Sequence, residues 1–199
     1  MGGKITSGDS VVATRPLFQE ANGGSIPTSP HQFLQVISKR LALSCYKKWH
    51  YLGATALIST VDFGVFVNGE IMGAISFGSP NATELDGYFD RYSQEGVWEI
   101  KRLALADSLP KNSESHAIAI AIRLLRKTYP VSLVVTYADS GVGHVGTIYK
   151  ASGFKYLGLT AQKSDFFIDG KIQQRGSTRG KKGEWKPRSR KHLYIKDFR

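Results

Sequence analysis

The chain has 199 residues, 41% hydrophobic and 22% charged, a composition that supports one globular domain with a substantial core. No apolar run approaches the ~18 residues needed to span a bilayer, the opening MGGKITSGDS lacks the apolar stretch of a secretory signal, and a single cysteine, Cys45, excludes an internal disulfide framework. The net charge of +11 is uneven: residues 171–199 hold 11 Lys/Arg against 2 acids, which leaves 16 basic and 14 acidic residues in the first 170.

Residues 1–29, rich in Gly, Ser, Thr and Pro, read as a loose arm, residues 30–175 as the folded domain and residues 176–199 as a basic tail. At the start of the domain, HQFLQVISKRLALSCYKKW puts Phe33, Leu34, Ile37, Leu41 and Cys45 at helical spacing. Cys45 reads there as a small packed residue, at home in a reducing compartment. His50 and Tyr51 follow as the chain leaves this helix. DFGVFVNGEIMGAISFG is a hairpin about Asn68-Gly69, the preferred pair of a tight turn. Residues 79–95 form a long polar loop, a candidate flap. VWEIKRLALA is a strand, and SLPKNSES leads into the helix HAIAIAIRLLRKTY, whose Ala/Ile/Leu face suits a sheet and whose candidate cap is Ser113 or Ser115. VSLVVTYA has the continuous apolar character of a buried central strand. DSGVGH turns into the short helix VGTIYKAS, ended by Gly153; FKYLGL and DFFIDGKIQQ are the closing strands, the second a hairpin through Asp169-Gly170. The order is that of a mixed α/β (α+β) domain with a helical crossover between two apolar strands.

Two features carry chemistry. Asp139 directly follows the buried strand, at the carboxyl edge where open α/β sheets place ligands; its alternative is an Asx turn or a cap for the next helix. The basic segment suggests a polyanionic partner. A solvated tail is the alternative, but Trp185 and Tyr194 among the charges add stacking surfaces suited to nucleic acid. Gly176, Gly180, Gly183 and Pro187, without a helical apolar stripe, speak against a membrane surface.

The stretch from 97–105 through TIYKASGFKYLG resembles the core of the GNAT acyltransferases, in which a splayed parallel pair of strands binds the acyl donor; Tyr149, Gly153 and Phe154 match its last core helix and strand. The fuller series, WHY at 49–51, FGVFVNGEIMGAISFG, WEIKRLALAD, AIAIRLLRK, TYADSGVGHVGTIYKASGFKYLG and DFFIDGKIQQRGS, resembles the Mom family of phage DNA-modification proteins over residues 31–178. That resemblance implies a catalytic domain of GNAT-like fold that converts adenine in phage DNA to its N6-carbamoylmethyl (acetamido) derivative. The modified DNA would resist host restriction, and the protein would work in the bacterial host cytoplasm.

Acylating adenine is demanding, because the lone pair of the exocyclic amine is delocalised into the ring; a base, a polarised carbonyl and an acid for the leaving group are needed. Under the resemblance, Asp139 takes or orients the amine proton and Tyr149 protonates the leaving group. His50 serves as base or metal ligand, and Tyr51 stacks on or bonds the adenine. Arg102 and Ser115 hold the donor, against the simpler readings of a surface ion pair and an N-cap. Iron is associated with the family, although no metal-ligand spacing is visible. The donor lies between acetyl-CoA and glycyl-tRNA, because the place of the pyrophosphate-binding glycine loop reads LPKNSESHA. Double-stranded DNA is the expected partner, met by Lys47, Lys48, Arg175, Arg179, Lys181, Lys182, Arg188 and Arg190, with aminoacyl-tRNA a second candidate and the oligomeric state open between monomer and homodimer. Two rivals remain: an acetyl-CoA-dependent N-acetyltransferase acting on a small molecule or protein, and a non-enzymatic nucleic-acid-binding module.

Overall fold

The computed structural model describes residues 32–53, 57–80, 96–173, 178 and 180–199. The N-terminal arm, residues 81–95 of the candidate flap, Arg175 and Arg179 lie outside the described residues. Among those described, seven strands form one sheet and three a second, smaller one.

The first strand, β1 (Gln32–Val36), departs from the helix expected there. Phe33 and Leu34 fit both periods, but Leu34 turns into the core while Phe33 stacks on Phe66 of the neighbouring strand with ring centres 5.2 Å apart. Cross-strand packing decides for the strand. Helix α1 (Lys39–Trp49) begins only after Ser38, whose Oγ accepts from the Leu41 N–H at 3.3 Å. Its buried residues are Ala42, Cys45 and Tyr46, and burial pushes the Cys45 thiol up from its ordinary pKa.

The expected hairpin is present as β2 (Val61–Val67) and β3 (Glu70–Gly78), joined by Asn68 and Gly69 at φ 52° and 85°, as a type I′ turn requires. Next come β4 (Val97–Leu105), α2 (Ser113–Thr128), β5 (Leu133–Asp139), α3 (Thr147–Ala151) and β6 (Lys155–Leu159). The two helical layers lie on opposite faces, because neighbouring strand residues diverge. Ala74 and Ala104 meet α1, whereas Ile75 and Leu105 join the cluster around Ala117, Ile118, Ala121, Ile122 and Leu125 of α2. The small alanines let α1 approach the sheet; the larger residues fill the α2 side.

The C-terminal segment is not a tail. Residues Lys171–Ile172 (β8) and Glu184–Pro187 (β9) flank Ser164–Ile168 (β7) in the small sheet, with the expected turn at Asp169-Gly170. Lys191–Asp197 (β10) enters the main sheet between β5 and β6, giving the order β1-β2-β3-β4-β5-β10-β6. Its charges obscured three consecutive buried residues, Leu193, Tyr194 and Ile195.

Candidate active site

Strands β4 and β5 pair in parallel at only three positions, Val97↔Leu133, Trp98↔Val134 and Glu99↔Val135. Both strands continue, β4 to Leu105 and β5 to Asp139, without pairing further. The break coincides with a bulge: Ile100 pairs with Phe77 and Arg102 with Ser76, which leaves Lys101 as the extra residue of β4. A bulge bends its strand and re-aims the side chains. Lys101 turns to Glu99 at 2.9 Å, while Arg102 lies over the Tyr46 ring.

Tyr149 stands on α3 beside this opening. Its ring is buried against Phe154 and Tyr194, at 5.9 and 5.7 Å between centres. The placement depends on β10: Tyr194 donates from its hydroxyl to the Val145 carbonyl at 2.6 Å, and Gly146, the α3 cap at φ 71°, lies so close to the Tyr194 ring that any Cβ would collide with it. Burial raises the Tyr149 pKa, nearby Thr136 lowers it, and Tyr51 and Glu99 raise it.

Asp139 ends β5 and opens a 3-10 turn, Ser140–Val142. Its Oδ1 accepts from the Gly141 N–H at 2.8 Å and from Ser189 Oγ at 2.6 Å. The Asx-turn alternative is therefore realised, and it fixes the carboxylate with Oδ2 left for other chemistry. A Cβ at Gly141 would displace Ser189, so both residues define this carboxylate.

His50 and Tyr51 leave the end of α1 stacked at 4.5 Å, and Tyr51 meets His144 edge-on at 5.3 Å. His144 was missed in sequence; its signal is a histidine five residues after Asp139 in a glycine-rich turn, where its N–H donates to the Asp139 carbonyl at 3.1 Å. The Tyr51 pKa is raised by burial first and then by Asp139, with Arg102 opposing. The structure thus brings His50, Tyr51, Arg102, Asp139 and Tyr149 into one electrostatic neighbourhood.

The Leu52 N–H donates to His50 Nδ1 at 3.1 Å, so the neutral ring carries its proton on Nε2. Burial, then Arg102 and His144, push the His50 pKa down to about 4. The imidazole is neutral at physiological pH, with its proton on Nε2. The sign for stability follows. The unfolded chain takes up this proton near pH 6.5 and the folded protein only near 4, so stability is unaffected above 6.5 and falls as pH drops toward 4. Urea unfolding at pH 7.5 and 5.0 should show a larger loss for the wild type than for His50→Gln; equal losses would remove His50 as the cause.

Arg102, 9% exposed, lies over the Tyr46 ring at 5.3 Å and donates to the Gly53 carbonyl at 3.3 Å, a buried setting. Tyr46 is held in turn by Ser76 at 2.6 Å, and Ser76 donates to buried Asp62. Ser115 lies in the first turn of α2. Its hydroxyl donates to the Asn112 carbonyl at 2.9 Å, and Asn112, left-handed at φ 72°, occupies the α2 cap position without a side-chain cap bond. Neither serine is the cap.

A coenzyme A pyrophosphate needs converging main-chain N–H groups. In the β4–α2 loop, the Leu109 and Ser113 N–H groups donate to Ala106 and Pro110 carbonyls at 3.1 and 3.2 Å, and the Ser113 hydroxyl donates to Pro110 at 2.7 Å. These two donors turn into a loop that carries no glycine. No three His, Cys, Asp or Glu side chains gather as a metal site among the described residues.

Of the expected DNA contacts, Lys47 and Lys48 are exposed on the last turn of α1, and Lys181 and Lys182 are exposed before β9. Arg188 approaches Asp165 at 4.0 Å, and Arg190 donates to the Thr160 and Leu159 carbonyls at 2.7 and 3.3 Å. Both arginines have structural partners that the charge pattern did not reveal.

Two solved structures share the fold. FeeM, an N-acyl amino acid synthase from uncultured soil microbes, matches with TM-score 0.54 at 13% identity, over 85% of this chain and 92% of its own. Aminoglycoside acetyltransferase AAC(6')-Ib, in complex with coenzyme A and kanamycin, matches with TM-score 0.51 at 15% identity, over 84% and 95%. The methylcarbamoylase Mom of Escherichia phage Mu is 30% identical over 172 residues, covering 81% of this chain and 68% of the relative. The model of the Mom protein family matches residues 32–197, from β1 to the end of β10. With its splayed β4–β5 pair and this match along the whole described domain, the chain belongs to the Mom protein family, built on the GNAT acyltransferase fold.

Proposed function

We propose that this protein modifies adenine in double-stranded phage DNA to its N6-carbamoylmethyl derivative, in the bacterial host cytoplasm, and so protects the DNA from restriction. The observation that carries the reading is the chain of contacts in which His50 stacks on Tyr51, Tyr51 meets His144 and His144 is tied to Asp139 at the end of β5.

Adenine must leave the duplex stack to reach such an opening, at a cost of about a few kcal/mol. Tyr51, half exposed and already between two imidazoles, offers a face for the extruded ring. Asp139 Oδ2 takes the proton of the exocyclic amine. His50 Nε2–H and the Arg102 guanidinium polarise the acyl carbonyl, and Tyr149 protonates the departing oxygen. Phosphate contacts from Lys47, Lys48, Lys181 and Lys182 offset the extrusion. Trp185, 64% exposed and backed by Phe166 at 5.1 Å, adds an aromatic face near the lysines. The Ser189–Asp139 hydrogen bond links this basic strand segment to the carboxylate.

A glycyl ester of tRNA supplies a consistent donor. Attack of the adenine amine forms an N–C(acyl) bond and breaks the ester C–O bond. The free glycine amine then attacks the ring carbon, the original C–N bond breaks, and the displaced nitrogen remains as the terminal amide of a carbamoylmethyl group. No oxidant or reductant is needed. The test is to incubate purified protein with duplex DNA and either glycyl-tRNA or acetyl-CoA, then analyse nucleosides by mass spectrometry. Carbamoylmethyl-deoxyadenosine should appear with glycyl-tRNA. Acetylated nucleoside would redirect the reading to an acetyl donor, and unmodified DNA from both incubations would refute it.

A further inference from the structure

The Thr136 side chain is fully buried, and among the described residues its Oγ1 makes no hydrogen bond of normal geometry, although it stands close enough to the Tyr149 phenol to lower its pKa. Its position is specific: β4 and β5 last pair at Glu99↔Val135, so Thr136 is the first β5 residue beyond their junction. It lies on the face of β5 shared with Val134 and Ala138, in the cluster that also contains Tyr149. Across the β10 ladder its backbone partner is Tyr194, whose ring borders that of Tyr149 at 5.7 Å. An unpaired buried hydroxyl is destabilising, and nearly all such groups in folded proteins find partners. Valine has the same shape without the hydroxyl and already occupies the two preceding positions, Val134 and Val135. Packing alone gives no reason for a threonine here.

We infer that Thr136 is a positioning residue for Tyr149, its hydroxyl donating to the phenol oxygen while Tyr149 passes its proton to the leaving group. This rests on the acid role of Tyr149 proposed above. In that step the Tyr149 O–H bond breaks and an O–H bond forms on the departing oxygen. The phenolate left behind sits among apolar rings, where a fixed donor is worth far more than in water. The phenol regains a proton through solvent, balancing the one that Asp139 takes from the amine. Thr136 thus makes no hydrogen bond of full geometry at rest, although it already lies beside the Tyr149 phenol, and the bond closes when charge develops there. The lowering effect of Thr136 on the Tyr149 pKa, against burial, has the same sense.

The experiment compares Thr136→Val, Thr136→Ser, Tyr149→Phe and the Thr136→Val/Tyr149→Phe double variant. Modified deoxyadenosine in the DNA of expressing cells is measured per amount of protein, together with the thermal unfolding midpoint of each purified variant. Thr136→Val should lower modification by roughly 100-fold, with a midpoint no lower than wild type because an unsatisfied group has been removed. Thr136→Ser should retain most of the activity, and the double variant should be no worse than Tyr149→Phe alone. Wild-type modification by Thr136→Val, equal failure of Thr136→Ser, a lowered midpoint of Thr136→Val or a further loss in the double variant would each overturn the inference. If Tyr149→Phe abolishes modification while Thr136→Val does not, only the role of Thr136 fails; an active Tyr149→Phe overturns both.

Discussion

Replacing Tyr149 with Phe is expected to lower the modified-adenine content of DNA from expressing cells by about 100-fold or more, the usual contribution of a positioned general acid. The protein itself should remain folded. The ring of Tyr149 packs on Phe154 and Tyr194, and phenylalanine fills the same space. The loop before α3 is held instead by the Tyr194 hydroxyl, which donates to the Val145 carbonyl. The substitution therefore separates chemistry from architecture: thermal unfolding should stay close to wild type while nucleoside analysis shows almost no product. Retained modification would mean that the leaving group obtains its proton elsewhere.

Deleting residues 176–199 should abolish folding rather than merely weaken DNA binding. A charge-rich tail invites that deletion as a binding test, but the deletion removes β10 from the interior of the main sheet. Leu193, Tyr194 and Ile195 are 8%, 1% and 3% exposed. At about 1.5–3 kcal/mol for each large apolar side chain buried, their loss alone amounts to about 5–9 kcal/mol, comparable with the ~5–15 kcal/mol that stabilises an entire domain. The β5 ladder from Asp139 to Leu133 would also lose its partner. Soluble yield and the cooperativity of thermal unfolding read the outcome; a truncated chain that unfolds cooperatively would contradict this account. Binding is better probed by substituting Lys181 and Lys182, which are exposed.

Much of the scaffold was legible because local and long-range signals agreed. Asn68-Gly69 marks a type I′ turn by its backbone requirement, VSLVVTYA marks a central strand by its unbroken apolarity, and the Ala/Ile/Leu stripe of α2 finds a sheet. Local signals misled where two periods overlapped or charge hid a strand. Residues 33, 34 and 37 satisfy helical spacing, but pairing with β2 made 32–36 a strand. In KHLYIKD, three buried residues sit between cations, and composition gives the cations more weight. The site divided along similar lines. Asp139 and Tyr149 were visible from chain position and family resemblance. His144, Ser189 and Thr136 were not, because their roles arise from a turn meeting Tyr51, a distant segment reaching Asp139 and a hydroxyl buried inside a strand.

The late arrival of β10 has a consequence during synthesis. About 50 residues separate the end of β5 from the start of β10, which a ribosome adds in about 3–10 s at ~5–20 residues per second. For the later part of that interval, once β6 is made, the nascent chain has both flanks of the missing strand, β5 and β6, without the partner that finally lies between them. Open flanks of this kind recruit strands from other chains. Yield in a heavily translating cell is consequently set by a race between elongation through residues 140–190 and self-association, a race that chaperones or slower expression can tilt toward the native sheet.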